Sequence, residues 1–104
     1  MVTRIWHGRT HANDAVSYLA ILQRTGIPAY LKTPGIVSVK ILRRLEGDVC
    51  HFCTVTEWKD LESIKAFAGE EYEKARYYPE DEEYLLEFEE KVMHYETFLP
   101  DAGL

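Results

Sequence analysis

The stretch CHFCTVTEWKDLESIKAFAGEEYEKARYY, residues 50–78, constrains this chain more than any other. It begins with alternating β-branched, aromatic and polar residues, the pattern of a half-buried strand, and runs into Trp58. Asp60 then offers a side-chain cap to a helix whose apolar positions Leu61, Ile64 and Phe67 or Ala68 share one face. Gly69 interrupts that helix, and residues 70–76 read as a further helical segment. Tyr77-Tyr78-Pro79 ends it, because proline disfavours helical geometry in the residue before it.

A similar unit opens the chain. Residues 2–9 read as a strand, Asn13 as a helix cap, and Ala15, Tyr18, Leu19 and Leu22 as an apolar stripe at i, i+3, i+4, i+7 spacing. Gly26 supplies a stop or bend, Pro28 begins a further helical turn, and Thr33-Pro34-Gly35 is a turn signal. Two strands follow, at residues 36–44 and 49–57, joined through Leu45-Glu46-Gly47-Asp48 as a hairpin, and residues 91–99 form the last strand. The order β-α-β-β-α-β, with right-handed crossovers and a central hairpin, predicts an α+β, ferredoxin-like domain over residues 1–104. Four antiparallel strands would carry two helices on one face.

Composition excludes several functions. At 46% hydrophobic and 12% aromatic the chain is not a disordered one, and no apolar run reaches the roughly 18 residues of a membrane span. The N-terminus has no apolar core of a secretory signal, so a soluble, cytoplasmic protein is expected. Net charge is −6 and unevenly spread: residues 1–44 carry seven Lys/Arg and one acid, residues 45–104 five Lys/Arg and 17 acids. Without a dense basic patch, nucleic acid is not an expected partner. The acids Glu80, Asp81, Glu82, Glu83, Glu87, Glu89 and Glu90 read as a solvated face, since metal ligands must converge. Cys50 and Cys53, three apart on a strand, point to opposite faces and cannot share a zinc ion. Four scattered His lack metal-ligand spacing, and no metal is assigned. Nucleophile-elbow and phosphate-loop patterns do not occur.

Both faces of the sheet are apolar. In the third strand Val49, Cys53 and Val55 oppose Phe52, Thr54 and Trp58; in the second, Ile36 and Leu42 oppose Val37, Val39 and Ile41. Two helices cover one face, so the other is expected to meet a second copy of the chain in a homodimer.

The first strand, the hairpin and FCTVTEWKDLESIKAFAGEEYEKA together resemble the antibiotic biosynthesis monooxygenase family over about residues 2–98. The most specific part is the strand ending in Trp58, followed by the helix with Phe67 and the turn from Glu70 to Ala75. The resemblance implies a dimeric α/β barrel with a pocket in each subunit between sheet and helices. Some members oxidise quinol-type polyphenols with dioxygen and no metal or flavin, and others bind haem and open its ring. The haem-opening branch carries an Asn on the first strand, a Trp in the second helix and an iron-ligating His at that helix's end. This chain has His7, Phe67 and Arg76 or Tyr77 there, so only Tyr77 offers an iron ligand.

The candidate chemistry follows from these residues. His7 can act as general base toward a phenolic proton, and a substrate anion can then reduce dioxygen. Arg76 beside Tyr77 can stabilise a developing oxyanion. Trp6, Trp58, Phe67 and Tyr72 offer aromatic walls for a small hydrophobic or aromatic ligand, and His94 on the last strand would neighbour the first. The expected activity is cofactor-independent monooxygenation of a small aromatic or polyphenolic substrate. The alternatives are a non-catalytic ligand-binding or structural dimer, or a haem-binding relative.

Overall fold

In a computed structural model, residues 1–100 are described, and the chain folds as a four-stranded antiparallel sheet with helices on one side. The elements are β1 (Val2–His11), α1 (Ala15–Arg24), α2 (Gly26–Lys32), β2 (Ile36–Glu46), β3 (Val49–Trp58), α3 (Leu61–Ala68) and β4 (Met93–Glu96). Short 3₁₀ turns at Ala12–Asp14 and Pro79–Glu83 precede α1 and follow α3. Strand order is β2-β3-β1-β4, the expected ferredoxin-like arrangement. Among the described residues no helix is long and apolar enough to cross a membrane.

Strand alternation sorts the side chains. On β1, Arg4, Trp6, Gly8 and Thr10 are buried under the helices; on β3, Cys50, Phe52, Thr54, Thr56 and Trp58 are. Cys50 and Cys53 therefore lie on opposite faces, and burial pushes both thiols up from their ordinary pKa. The helix-side core has two parts. Trp6, Tyr18, Leu22, Phe52 and Leu85 pack under α1, while Tyr30, Trp58 and Ile64 pack under α2 and α3. Gly47, at φ 58°, takes the left-handed position at the start of a two-residue hairpin turn.

Four local expectations change. Ile36 lies on the helix side, against the Trp58 cluster, because a bulge between Ile36 and Ser38 resets the alternation and leaves Val37 exposed. Asn13 falls inside the 3₁₀ turn, so α1 begins at Ala15 without a side-chain cap. Residues 70–76 are irregular rather than helical. Gly69 at φ 86° ends α3, and the chain beyond it pairs with the segment before β4 through Ala75 N to Glu90 O and Val92 N to Glu73 O. That pairing leaves β4 only four residues long. Asp60, by contrast, caps α3 as expected, accepting from Ser63 N at 2.9 Å.

The helix-free face is mixed rather than uniformly apolar. Leu42, Met93 and Tyr95 are exposed there and Ile5 and Val55 half-buried, but His7, Arg9, Lys40 and His51 share it. The segment between the second 3₁₀ turn and β4 runs along the free edge of β1, with Leu86 N bonded to Arg9 O, and supplies acids to that face.

Candidate functional site

Phe67 is the centre of the helix-side arrangement. It projects from α3 onto Tyr30, stacked at 4.7 Å between centroids, and onto Trp58 at 5.7 Å. Two guanidinium groups lie over the same ring, Arg4 at 5.5 Å and Arg76 at 4.9 Å. Arg4 Nη1 donates to Tyr72 O at 3.3 Å, and Arg76 Nη1 donates to Phe67 O at 3.2 Å. Arg4 is 1% exposed, and burial holds its pKa below the ordinary arginine value.

Two spaces flank this group. A small, partly open cavity of about 20 Å³ lies between sheet and helices, lined by Trp6, Tyr30, Thr54, Arg76, Tyr78 and Asp81 among others. An open groove of about 470 Å³ runs along β4, lined by Val2, Leu61, Tyr72, Val92 and His94 among others. His94 sits opposite Arg4 across the β1–β4 pair, edge-on to Tyr72 at 5.3 Å. Its Nε2 is buried without a partner, and burial, then the Arg4 charge, favours the neutral imidazole.

The cavity's far wall is tied down by Asp81, which is 3% exposed. Its Oδ1 accepts from Tyr18 OH at 2.8 Å and its Oδ2 from Tyr78 N at 2.7 Å. Trp6 lies between Tyr18 and Tyr77, at 6.5 and 6.3 Å between centroids, and its ring passes over Gly8. A Cβ at Gly8 would come within 2.6 Å of Trp6 Cη2, so glycine is what lets the indole lie along the strand.

His7 lies elsewhere, on the helix-free face. Its Nδ1 meets Glu89 Oε2 at 2.5 Å, its Nε2 meets His51 Nδ1 at 3.0 Å, and His51 Nε2 meets Glu46 Oε1 at 3.0 Å. Beside it, Arg9 grips Glu87 Oε1 with Nε and Nη2 at 2.7 and 2.6 Å.

Trp6, Phe67 and Arg76 thus gather around the helix-side spaces with Tyr72 and His94. Trp58 is fully buried core, its Nε1 donating to Thr56 Oγ1 at 2.8 Å. Tyr77 closes against Trp6 but spends its hydroxyl on Glu89 O at 2.5 Å, and burial raises its pKa. His7 is separated from Arg76 by the sheet and reaches Tyr77 only through Glu89. Arg4, Tyr30, Glu89 and the Tyr18–Asp81 pair are not among the residues that the sequence reading singles out for the site. Arg4 carried a readable signal, since it stands two positions before Trp6 on a strand and so shares its face. The others pair residues far apart in the chain. Among the described residues no cluster of His, Cys, Asp and Glu is placed to hold a metal ion.

The residues do not fit haem iron. Tyr77 is held as a protonated phenol bonded to a carbonyl, and Phe67 and Arg76 offer no ligand. His94 has a free nitrogen, but the neighbouring Arg4 guanidinium opposes a further positive centre there.

No protein-family profile matches the chain, and no curated protein does. Solved structures do match in shape. A candidate antibiotic biosynthesis monooxygenase from Nitrosomonas europaea superposes with a TM-score of 0.68 at 13% identity, covering 95% of this chain and 100% of that one. A second, from Bacillus cereus, gives 0.60 at 11% identity, covering 95% and 96%. The haem degrader MhuD of Mycobacterium tuberculosis, with two haems bound in its active site, gives 0.56 at 21% identity, covering 96% and 98%. The family resemblance seen in the sequence is therefore matched at the level of fold: the chain has the ferredoxin-like fold of these monooxygenase-type structures.

Proposed function

We propose that the protein is a monooxygenase acting on a small aromatic or polyphenolic substrate with dioxygen, at the helix-side site. The observation that carries this reading is an open groove of about 470 Å³ lined by Val2, Leu61, Tyr72, Glu73, Val92 and His94 among others. That volume lies within the range of small-molecule sites. A quinol entering the groove meets the rings of Tyr72 and Tyr95 and the His94 side chain. The general base of this reading is therefore His94, which lines the groove, rather than His7 on the other face. The charge of Arg4, buried opposite His94 across the β1–β4 pair, favours the resulting oxyanion, and the electron-rich ring can pass an electron to dioxygen. Trp6 is part of the wall of the small cavity, with Tyr77 packed edge-on against it.

The same reading includes a homodimer in which two copies bury the helix-free faces. Leu42, Met93 and Tyr95, 52%, 58% and 50% exposed, support it, as does the row of half-buried apolar residues between them. A non-catalytic ligand-binding dimer uses the same groove and differs only in turnover. The direct test is incubation of hydroquinone-type substrates with labelled dioxygen, followed by mass spectrometry of the products. Label in the organic product is expected; none across a broad panel refutes the activity. A haem titration followed in the Soret region is expected to show no saturable band.

A further inference from the structure

We infer that the groove bounded by Tyr77, Tyr78, Pro79, Glu82 and Phe88 is a second ligand site, and that it binds the quaternary ammonium group of a small organic cation. This groove, of about 410 Å³, shares no lining residue with the one beside His94, so the site stands apart from the proposed oxygenation.

The two tyrosines have no hydroxyl free for this groove. Tyr77 donates its own to Glu89 O, and the Tyr78 hydroxyl oxygen is buried. What lines the space is therefore ring surface. Tyr77 and Phe88 stand edge-on at 76° with centroids 5.0 Å apart, two walls meeting at a corner. Glu87 and Glu89 reach back to Arg9 and His7 on the helix-free face, while Phe88 between them turns onto Tyr77. Phe88 is 47% exposed despite that contact, and a dimer that buries the helix-free face leaves it open.

The charge around the groove is one-sided. Residues 77–90 contain seven acids and no Lys or Arg. Asp81, Glu87 and Glu89 are held by Tyr18, Arg9 and His7. Glu82 in the groove wall, with Glu80 and Glu83 in the same 3₁₀ turn, joins no ion pair among the described residues. Arg76 lies over the Tyr78 ring at 5.5 Å but does not line the groove, which leaves Tyr77 and Phe88 as the rings for a ligand cation. Ring faces carry negative potential and the Glu82 carboxylate adds to it, so both attract a cation and repel an anion. The aromatic walls then choose among cations. A quaternary ammonium spreads its charge over methyl groups that pack on the rings as apolar surface, whereas a primary ammonium is compact and holds its water.

The test is an NMR titration of the intact protein with choline and with dimethylbutanol, the uncharged isostere in which a tert-butyl group replaces the trimethylammonium. It is repeated on Phe88→Leu, Phe88→Tyr and Glu82→Gln, all at exposed side chains outside the two core clusters. Choline is expected to bind at least about 5-fold more tightly than the alcohol, the scale of one cation–π contact. Its N-methyl protons should shift upfield on binding, because they lie over ring faces. F88L should lose most of the preference and of the upfield shift, and F88Y, which keeps the ring, should retain both. E82Q should weaken choline binding and flatten its salt dependence while leaving the alcohol unchanged. Equal binding of choline and the alcohol, no saturable shift at tens of millimolar choline, or an F88L protein that binds as the parent does overturns the inference.

Discussion

Tyr18→Phe tests the joint between α1 and the 3₁₀ turn that walls the small helix-side cavity. Tyr18 is fully buried, and its hydroxyl donates to Asp81 Oδ1 at 2.8 Å. Removing the hydroxyl deletes a hydrogen bond to a charged group and leaves a buried carboxylate oxygen without that donor. The expected loss is about 2–3 kcal/mol at neutral pH, a fall in Tm of about 8–20 °C for a chain of this size. The pH dependence is more discriminating. Burial first, and Asp81 second, push the Tyr18 pKa well above its ordinary 10.0. The folded protein therefore keeps the phenolic proton where the unfolded chain releases it, so stability is fully present below pH 10 and falls above it. The slope from this one group is about 1.4 kcal/mol per pH unit. Tyr18→Phe lacks it, while the raised Tyr77 and Tyr78 remain in both proteins and cancel. Urea denaturation followed by circular dichroism from about pH 8 to 11.5 should show the gap between the two proteins closing by about 2 kcal/mol. A gap that stays constant across that range refutes the argument.

Gly8→Ala should drive a methyl group into Trp6 Cη2, cost about 1–3 kcal/mol, and shift the tryptophan emission and near-UV dichroism of the site; unchanged spectra would show that the ring does not lie over the strand. Asp60→Ala removes the α3 cap and should lower stability by about 1 kcal/mol in chemical denaturation, with Asp60→Asn close to the parent. The double substitution Leu42→Asp and Met93→Asp should leave the helix-side core intact but shift sedimentation at micromolar concentration from dimer to monomer. A parent protein that already sediments as a monomer removes the dimer from the proposed function.

What the sequence determined is local. Period-two alternation in residues 49–58 placed Phe52, Thr54 and Trp58 on one face and Cys53 and Val55 on the other, and Asp60 announced its helix through a bond that spans only three residues. The order of elements then allowed one simple right-handed topology, which the sheet order bears out. Where local pattern misled, a tertiary contact had overridden it. Residues 70–76 have helix-forming composition, but their backbone groups bond the segment before β4, and a bulge invisible to alternation turned Ile36 inward.

The site was decided almost entirely by tertiary structure. His7, Arg76 and Tyr77 looked like one constellation, yet strand direction sends His7 to Glu89 and His51 on one face while Arg76 and Arg4 meet over Phe67 on the other. Pairings such as His7 with Glu89, Tyr18 with Asp81, and Arg4 with Tyr72 join β1 or α1 to the irregular segment between α3 and β4. That segment has no periodicity to read, so its partners are set only when the sheet closes and the chain is laid across it. Side-chain direction is a property of a few neighbouring dihedrals and is written locally; the distance between two distant side chains is a property of the whole fold.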